Sequence, residues 1–208
     1  MRYIVTTPWW LRLTFPTGLT WSLPNQHNQV YITFDDGPHP EITPFVLEQL
    51  NQHNAKATFF CIGNNVKQWP QVYQQILANG HRTGNHTQHH KNAWKTSDEE
   101  WLADVKEAGN WIDSDLFRPP YGRIRSFPAK ILQQAQRPYR IIMWSVLSAD
   151  FDTRLSAKNC VQHILKHTKP GSILVFHDSE KAWPRLQAAL PEVLQQLSDK
   201  GFIFKAID

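Results

Sequence analysis

Past residue 26 the chain alternates short apolar runs with longer amphipathic stretches. Residues 30–34, 57–61, 139–146, 172–176 and 202–207, with a short run around Phe117, are largely apolar and rich in β-branched or aromatic side chains, and each predicts a strand; a further short strand is expected at residues 81–84. Between the first two, residues 43–51 carry Phe45, Val46, Leu47 and Leu50 at helical spacing. Pro70 opens the next helix at its first turn, with Val72, Ile76 and Leu77 inward and Gly80 as its stop. Ser97-Asp98-Glu99-Glu100 is a capping box that starts a helix reaching about residue 112. Residues 128–136, 156–167 and 183–197 read as helices, the second stopped by Lys169-Pro170-Gly171 and the third near Gly201. Seven strands alternating with about six helices predict an α/β fold on a parallel sheet, and a distorted (β/α) barrel, closed or nearly so, is the simplest way to use seven of them.

Residues 1–25 break this rhythm. Trp9, Trp10, Phe15 and Trp21 lie among prolines, which predicts an irregular arm packing its aromatics over an open end or seam; a recognition surface is the alternative. No linker, charge block or repeat interrupts residues 26–208, so they read as one domain.

Composition narrows the class only slightly. The apolar fraction of 41% and charged fraction of 19% are ordinary for a globular chain of 208 residues. Nine Trp, 14 Pro and ten His are less ordinary, and the aromatic excess suits a thick core, a sugar-binding groove, or both. The net charge of +4 comes from scattered Lys and Arg, with no basic run, which argues against a nucleic-acid partner. Cys61 and Cys160 are far apart; Cys61 ends an apolar run and reads as a buried free thiol, although the sequence leaves a disulfide open. No stretch reaches the roughly 18 apolar residues of a membrane helix. The first 23 residues have no continuous apolar region and no small-residue cleavage site, so the expected location is cytoplasmic by default, with an extracytoplasmic one left open by a missed or removed leader. Nothing in the sequence speaks to oligomeric state.

The chemistry gathers at the expected C-terminal ends of the strands, where such folds carry their sites. The first strand stops at Asp35-Asp36, followed by Gly37-Pro38-His39-Pro40. Two adjacent aspartates repel, so holding both ionised calls for a cation or an arginine nearby. The third strand leads into Asn85-His86-Thr87-Gln88-His89-His90. His86 and His90, four apart, can share one side of a turn; with one carboxylate they make a His₂Asp set that leaves a position for water, the pattern of a catalytic zinc site. His89 is the spare, offset away from the pair. Arg118, in Arg118-Pro119-Pro120-Tyr121-Gly122, can lie beside Asp35 and hold it ionised, while the prolines stiffen the turn and fix the Tyr121 N–H as an oxyanion donor. His177 follows the sixth strand; as a general acid it needs a carboxylate to raise its pKa, with Asp150 the best candidate and Asp152 and Asp178 the fallbacks.

Taken together these segments resemble the polysaccharide deacetylase family (carbohydrate esterase family 4, the chitooligosaccharide deacetylase homology domain). Its five motifs correspond in order to Thr33-Phe34-Asp35-Asp36-Gly37, His86-Thr87-Gln88-His89-His90, Arg118-Pro119-Pro120-Tyr121-Gly122, a degraded fourth around residues 147–151, and Leu174-Val175-Phe176-His177, a resemblance spanning about residues 28–206. It implies a distorted (β/α) barrel and metal-assisted hydrolysis. By motif, Asp36, His86 and His90 would bind the metal, zinc first and cobalt or another divalent ion as alternatives. Asp35 would be the general base, Arg118 its orienter, and the Tyr121 amide an oxyanion donor. His177 would protonate the leaving group, with Asp150 as its carboxylate, and Leu174 would line the pocket for the acetyl methyl. The departure is in the fourth motif: where the family usually shows Asp-x-x-Asp-Trp, the chain reads Leu147-Ser148-Ala149-Asp150-Phe151, which bears on substrate preference more than on chemistry. Trp94 and Trp183 follow the second and fifth motifs, where either could stack on a sugar face or form a hydrophobic lid.

The expected activity is removal of acetyl groups from an acetylated oligo- or polysaccharide, with N-acetylglucosamine in peptidoglycan fragments or chitooligosaccharides first and acetylated xylan second. Two other readings are an amidase for a small non-carbohydrate amide and a carbohydrate-binding relic. The presence of both a base and an acid speaks against the relic, because a binder uses neither.

Overall fold

The computed structural model describes residues 4–24 and 27–208; the expected boundary at residues 25 and 26 lies outside the described residues. The strands are β1 (Gln29–Asp35), β2 (Ala57–Cys61), β3 (Arg82–Asn85), β4 (Leu116–Phe117), β5 (Arg140–Ile141), β6 (Val146–Leu147), β7 (Ile173–His177) and β8 (Ile203–Phe204). The helices are α1 (Trp9–Arg12), α2 (Ile42–Gln52), α3 (Gly63–Gln68), α4 (Pro70–Ala78), α5 (Asp98–Ala108), α6 (Ser126–Gln133), α7 (Ala157–His167) and α8 (Trp183–Asp199). The sheet runs β5-β4-β3-β2-β1-β7-β6, every pairing is parallel, and β8 joins the start of β1. The result is the curled, distorted (β/α) barrel that the alternation predicts.

One expected strand is two. Residues 139–146 pair with β4 as β5, leave that edge, and rejoin the opposite edge as β6 against β7. The seam of the barrel is therefore crossed by residues 142–145, with the Ile142 N–H bonded to Phe117 O on one side and the Ser145 N–H to Ile173 O on the other. The arm runs along this seam. Thr20 bridges Ile142, Thr6 bridges Val146 and Ser22 bridges Ser172, so edge groups that would otherwise lack partners are bonded. Phe15 meets the buried Trp21 edge-on at 5.0 Å, whereas Trp9 and Trp10, in the short helix α1, are exposed.

Helix α3 has no counterpart in the sequence pattern. Its six residues carry one buried apolar side chain, Val66, too few for a periodic signal. The short helix α1 likewise falls where an irregular arm was expected, and on α4 Val72 and Ile76 are buried as expected while Leu77, expected inward, is exposed. Ser97 caps α5 by accepting the Glu100 N–H, and α7 carries a reciprocal capping box between Ser156 and Asn159.

Strand alternation sorts β1 into two faces. Val30, Ile32 and Phe34 join the core under α2, α7 and α8, where Phe34 stacks on Phe59 at 5.0 Å. Tyr31 belongs instead to the barrel interior with Phe60, Leu116, Ile142 and Ile173. Thr33 and Asp35 continue that inward row, and this parity sends Asp35 into the barrel.

Candidate active site

Asp35 and Asp36 part company at the tip of β1. Asp35, still in the strand, is buried and meets Arg118, whose Nη1 donates to Asp35 Oδ1 at 2.6 Å and to Thr33 Oγ1 at 2.7 Å. Asp36 has φ 80°, which breaks the strand and turns its carboxylate to the rim. The turn is braced from below by Asp178. Its Oδ1 accepts the Gly37 N–H at 3.0 Å, its Oδ2 accepts the Thr43 hydroxyl at 2.6 Å, and its N–H donates to Asp35 O. Gly37 is required here, because a Cβ would lie 2.1 Å from Asp178 Oδ2. Burial pushes the Asp178 carboxyl up to about 8; Thr43 opposes the shift and Asp36 adds to it.

At the rim, Asp36 Oδ1 lies 3.2 Å from His90 Nε2 and 3.7 Å from His86 Nε2, and the three potential donor atoms all fall within 4.8 Å of one another. The buried His86 ring donates from Nδ1 to Arg118 O at 2.7 Å, which turns the lone pair of Nε2 toward Asp36. Burial, helped by His90, pushes the His86 pKa down to about 3, so this imidazole is neutral. Asp36 Oδ1 is buried with no hydrogen-bond partner among the described residues, while the Asp36 carbonyl accepts from Asn65 Nδ2 on α3 at 2.7 Å. An orphaned carboxylate oxygen facing two imidazole nitrogens is a donor set that could hold a divalent metal.

Arg118 is fully buried, and its side chain does three things. It holds Asp35, donates to the Ile142 and Met143 carbonyls of the seam, and lays its guanidinium 4.0 Å over the Phe60 ring. Burial pulls the guanidinium pKa down and Asp35 pushes it back up. The following turn puts Tyr121 at φ 60°, with its ring 4.6 Å from His90. The Tyr121 N–H finds no acceptor among the described residues.

The β1–β7 register sets Asp35 opposite His177. Asp150 receives both the His177 N–H, at 2.8 Å, and the ring Nδ1–H, at 2.7 Å, which leaves Nε2 as the outward nitrogen. Burial alone would lower the His177 pKa; the charge and hydrogen bond of Asp150, with Asp36 and Asp35 adding, outweigh it and raise the value to about 9. Asp150, not Asp152 or Asp178, is the partner. Behind it, the buried Arg185 of α8 donates to the carbonyls of both Asp150 and Lys181, joining the two loops that carry the pair.

Five non-glycine residues in these loops have positive φ: Asp36, Thr87, His90, Tyr121 and Ala149. Each such conformation costs about 1–3 kcal/mol and persists only where the surroundings over-determine it, a hallmark of functional loops. A cleft of about 410 Å³ opens over Asp36 and His90 and runs past Asn65 and His39 toward residues 179–181.

Two expected site residues are placed elsewhere. Leu174 is fully buried in the core between sheet and helices and lines no part of the cleft. Alternation puts Val175, two before His177, on the site-facing side instead. Trp183 opens α8 and packs edge-on against Phe45 at 5.0 Å, half-buried on the same core, so its ring serves helix packing. Trp94 is exposed, with the Arg123 guanidinium 4.5 Å over its ring. In the fourth motif, Leu147 is buried in β6 beneath the arm, and Phe151 meets His177 edge-on at 5.3 Å.

Sequence reasoning missed Asn65 and Arg185. The pattern around Asn65 carries no signal, and Arg185 reads as an ordinary helix-surface cation until its partners, distant in sequence, are seen. Thr33 was legible through the alternation that points Asp35 inward.

The family model described as polysaccharide deacetylase matches residues 23–139. A Bacillus cereus peptidoglycan-N-acetylglucosamine deacetylase is 37% identical over 199 residues, covering 92% of each chain. Among solved structures, the Bc1960 peptidoglycan N-acetylglucosamine deacetylase superposes with a TM-score of 0.81 at 31% identity, covering 91% of each chain. BA3943 of Bacillus anthracis, described as a family 4 pseudoenzyme, superposes with a TM-score of 0.78 at 25% identity, over 90% of this chain and 66% of its own. The chain belongs to the polysaccharide deacetylase family, carbohydrate esterase family 4.

Proposed function

We propose that this polysaccharide deacetylase removes acetyl groups from an N-acetylated carbohydrate in a reaction that depends on a divalent metal. The first substrate class is N-acetylglucosamine in peptidoglycan fragments or chitooligosaccharides; acetylated xylan is the second. The observation that carries the reading is the division of the adjacent carboxylates. Asp36 shares a donor cluster with His86 and His90, while Asp35 is held by Arg118 and faces His177 across the sheet. The substrate order is supported by the Bacillus cereus relative, whose name specifies peptidoglycan N-acetylglucosamine.

The residues present fit a metal. Two imidazoles and one carboxylate suit zinc first and cobalt second, and the orphaned Asp36 oxygen is the group that such an ion would satisfy. Asp36, His86 and His90 would hold the ion, which would supply Lewis-acid polarisation and lower the pKa of water from about 15.7 toward about 7. Asp35 takes the proton from the attacking water. Arg118 holds its Oδ1, which leaves Oδ2 for that proton. The Tyr121 N–H receives the negative charge that develops on the acetyl oxygen. His177 delivers a proton from Nε2 to the departing nitrogen, and Asp150 keeps the ring charged and oriented until then. A base paired with an acid supports this reading over that of a site that only binds.

The test is acetate release from a panel of N-acetyl and O-acetyl saccharides with zinc, with cobalt and after chelation. Metal-dependent release from N-acetylglucosamine oligomers is expected. Release from acetylxylan alone would move the substrate class, and no release from any saccharide with metal supplied would overturn the reading.

A further inference from the structure

The loop that carries His86 and His90 holds two of its residues, Thr87 at φ 66° and His90 at φ 56°, in left-handed conformations that β-branched and bulky side chains adopt reluctantly. What holds it lies on α5. Asp104, buried to 3% exposure, accepts the His89 ring Nδ1–H on Oδ1 at 2.7 Å and the His89 backbone N–H on Oδ2 at 3.0 Å. Lys91 Nζ is 3.7 Å from the same Oδ1, so the carboxylate holds the residues on both sides of His90. The backbone of α5 adds to the grip: Asp104 O accepts the Gln88 N–H, and Val105 O accepts from Asn85 Nδ2, whose own Oδ1 receives the Thr87 N–H at 2.8 Å. His89 is half exposed, and its offset directs its ring to Asp104 instead of toward Asp36.

We infer that Asp104 and His89 are positioning residues that clamp the strained loop so that His86 and His90 stay aligned on Asp36, and that they set the metal affinity of the site. The inference rests on the metal reading above. Asp104 bonds to His89 and Lys91 and not to the three donor atoms; it acts through the loop. Groups that orient metal ligands from behind typically change affinity about 10–100-fold when removed.

The experiment measures zinc affinity of the full chain by competition with a chromophoric chelator, with thermal unfolding of the metal-free chain as the check on folding. Asp104→Leu removes both side-chain bonds to His89, and we expect its zinc affinity to fall about 10–100-fold. His89→Ala keeps the backbone bond to Asp104 and should lose less; Asp104→Asn, which keeps an acceptor but no charge, should fall between wild type and Asp104→Leu. The zinc concentration that half-restores deacetylation should rise in the same order. If Asp104→Leu does not fold, His89→Ala decides, since a half-exposed side chain tolerates truncation. Folded variants that bind zinc within twofold of wild type overturn the inference while leaving the metal site standing. A wild-type chain that takes up no zinc overturns the metal reading and this inference with it.

Discussion

Arg118 and Asp35 form a fully buried ion pair, Nη1 to Oδ1 at 2.6 Å, whose cation also holds the barrel together. The same guanidinium donates to the carbonyls of Ile142 and Met143, the two residues that leave the β5 edge to cross to the other. The geometry of the candidate site and the bonding of the barrel seam thus share one side chain. Replacing it tests both.

Arg118→Met should lower stability by about 3–5 kcal/mol, because it strands a buried carboxylate and frees two seam carbonyls. Arg118→Lys keeps the charge but cannot reproduce the fork, so it should recover part of the stability and little of the turnover. Urea unfolding and acetate release on both variants separate the two roles; equal stability of Arg118→Met and wild type would show that the seam does not need the arginine.

Asp35→Asn keeps an acceptor for Arg118 but cannot take a proton. Turnover should fall about 10²–10⁴-fold. Zinc content, read by elemental analysis, should stay at the wild-type stoichiometry, because Asp35 is not among the three donors. Unchanged turnover would remove Asp35 as the base.

The pH dependence follows from His177. Its pKa of about 9 keeps the acid protonated through neutrality, so kcat/KM should fall as pH rises through about 9. Asp150→Asn removes the charge that supports the proton and leaves burial to oppose it, so the alkaline limb should move to lower pH by at least about one unit. A limb that stays in place in the variant would mean that another group titrates there.

Gly37→Ala should act at the turn between the two carboxylates. The new Cβ would meet Asp178 Oδ2 at 2.1 Å and displace the carboxylate that receives the Gly37 N–H. We expect a loss of about 1–3 kcal/mol, seen as a lower melting temperature, together with loss of deacetylation. A variant as stable and active as wild type would show that Asp178 can yield without disturbing Asp35 and Asp36.

Much of the candidate site is legible in the sequence, because chemistry in this fold sits at strand ends and strand ends are local features. The apolar run before Asp35 and Asp36, the four-residue interval between His86 and His90, and the polar break after residues 172–176 each announce themselves within ten residues. Where the fold departs from the sequence pattern, the cause is contacts between residues distant along the chain. Residues 139–146 are apolar throughout, so nothing local shows that they leave one sheet edge and join the other. Leu174 and Val175 are equally apolar, and only the parity counted from His177 decides which of them faces the site. Trp183 could have covered a groove or a helix, and the position of Phe45 settled it.

The sequence by itself determined the alternation of strands and helices, the barrel class and the candidate reactive groups, since periodicity and turn chemistry act over a few residues. Only the tertiary structure decided what each group meets. Asp35 and Asp36 are chemically identical neighbours; they differ because one continues the inward row of β1 onto Arg118, 83 residues away, and the other turns at φ 80° toward His86 and His90. Asp104 and Arg185, ordinary charges on helices when read along the chain, become supports of the site for the same reason: their partners are distant in sequence and adjacent only once the barrel has closed.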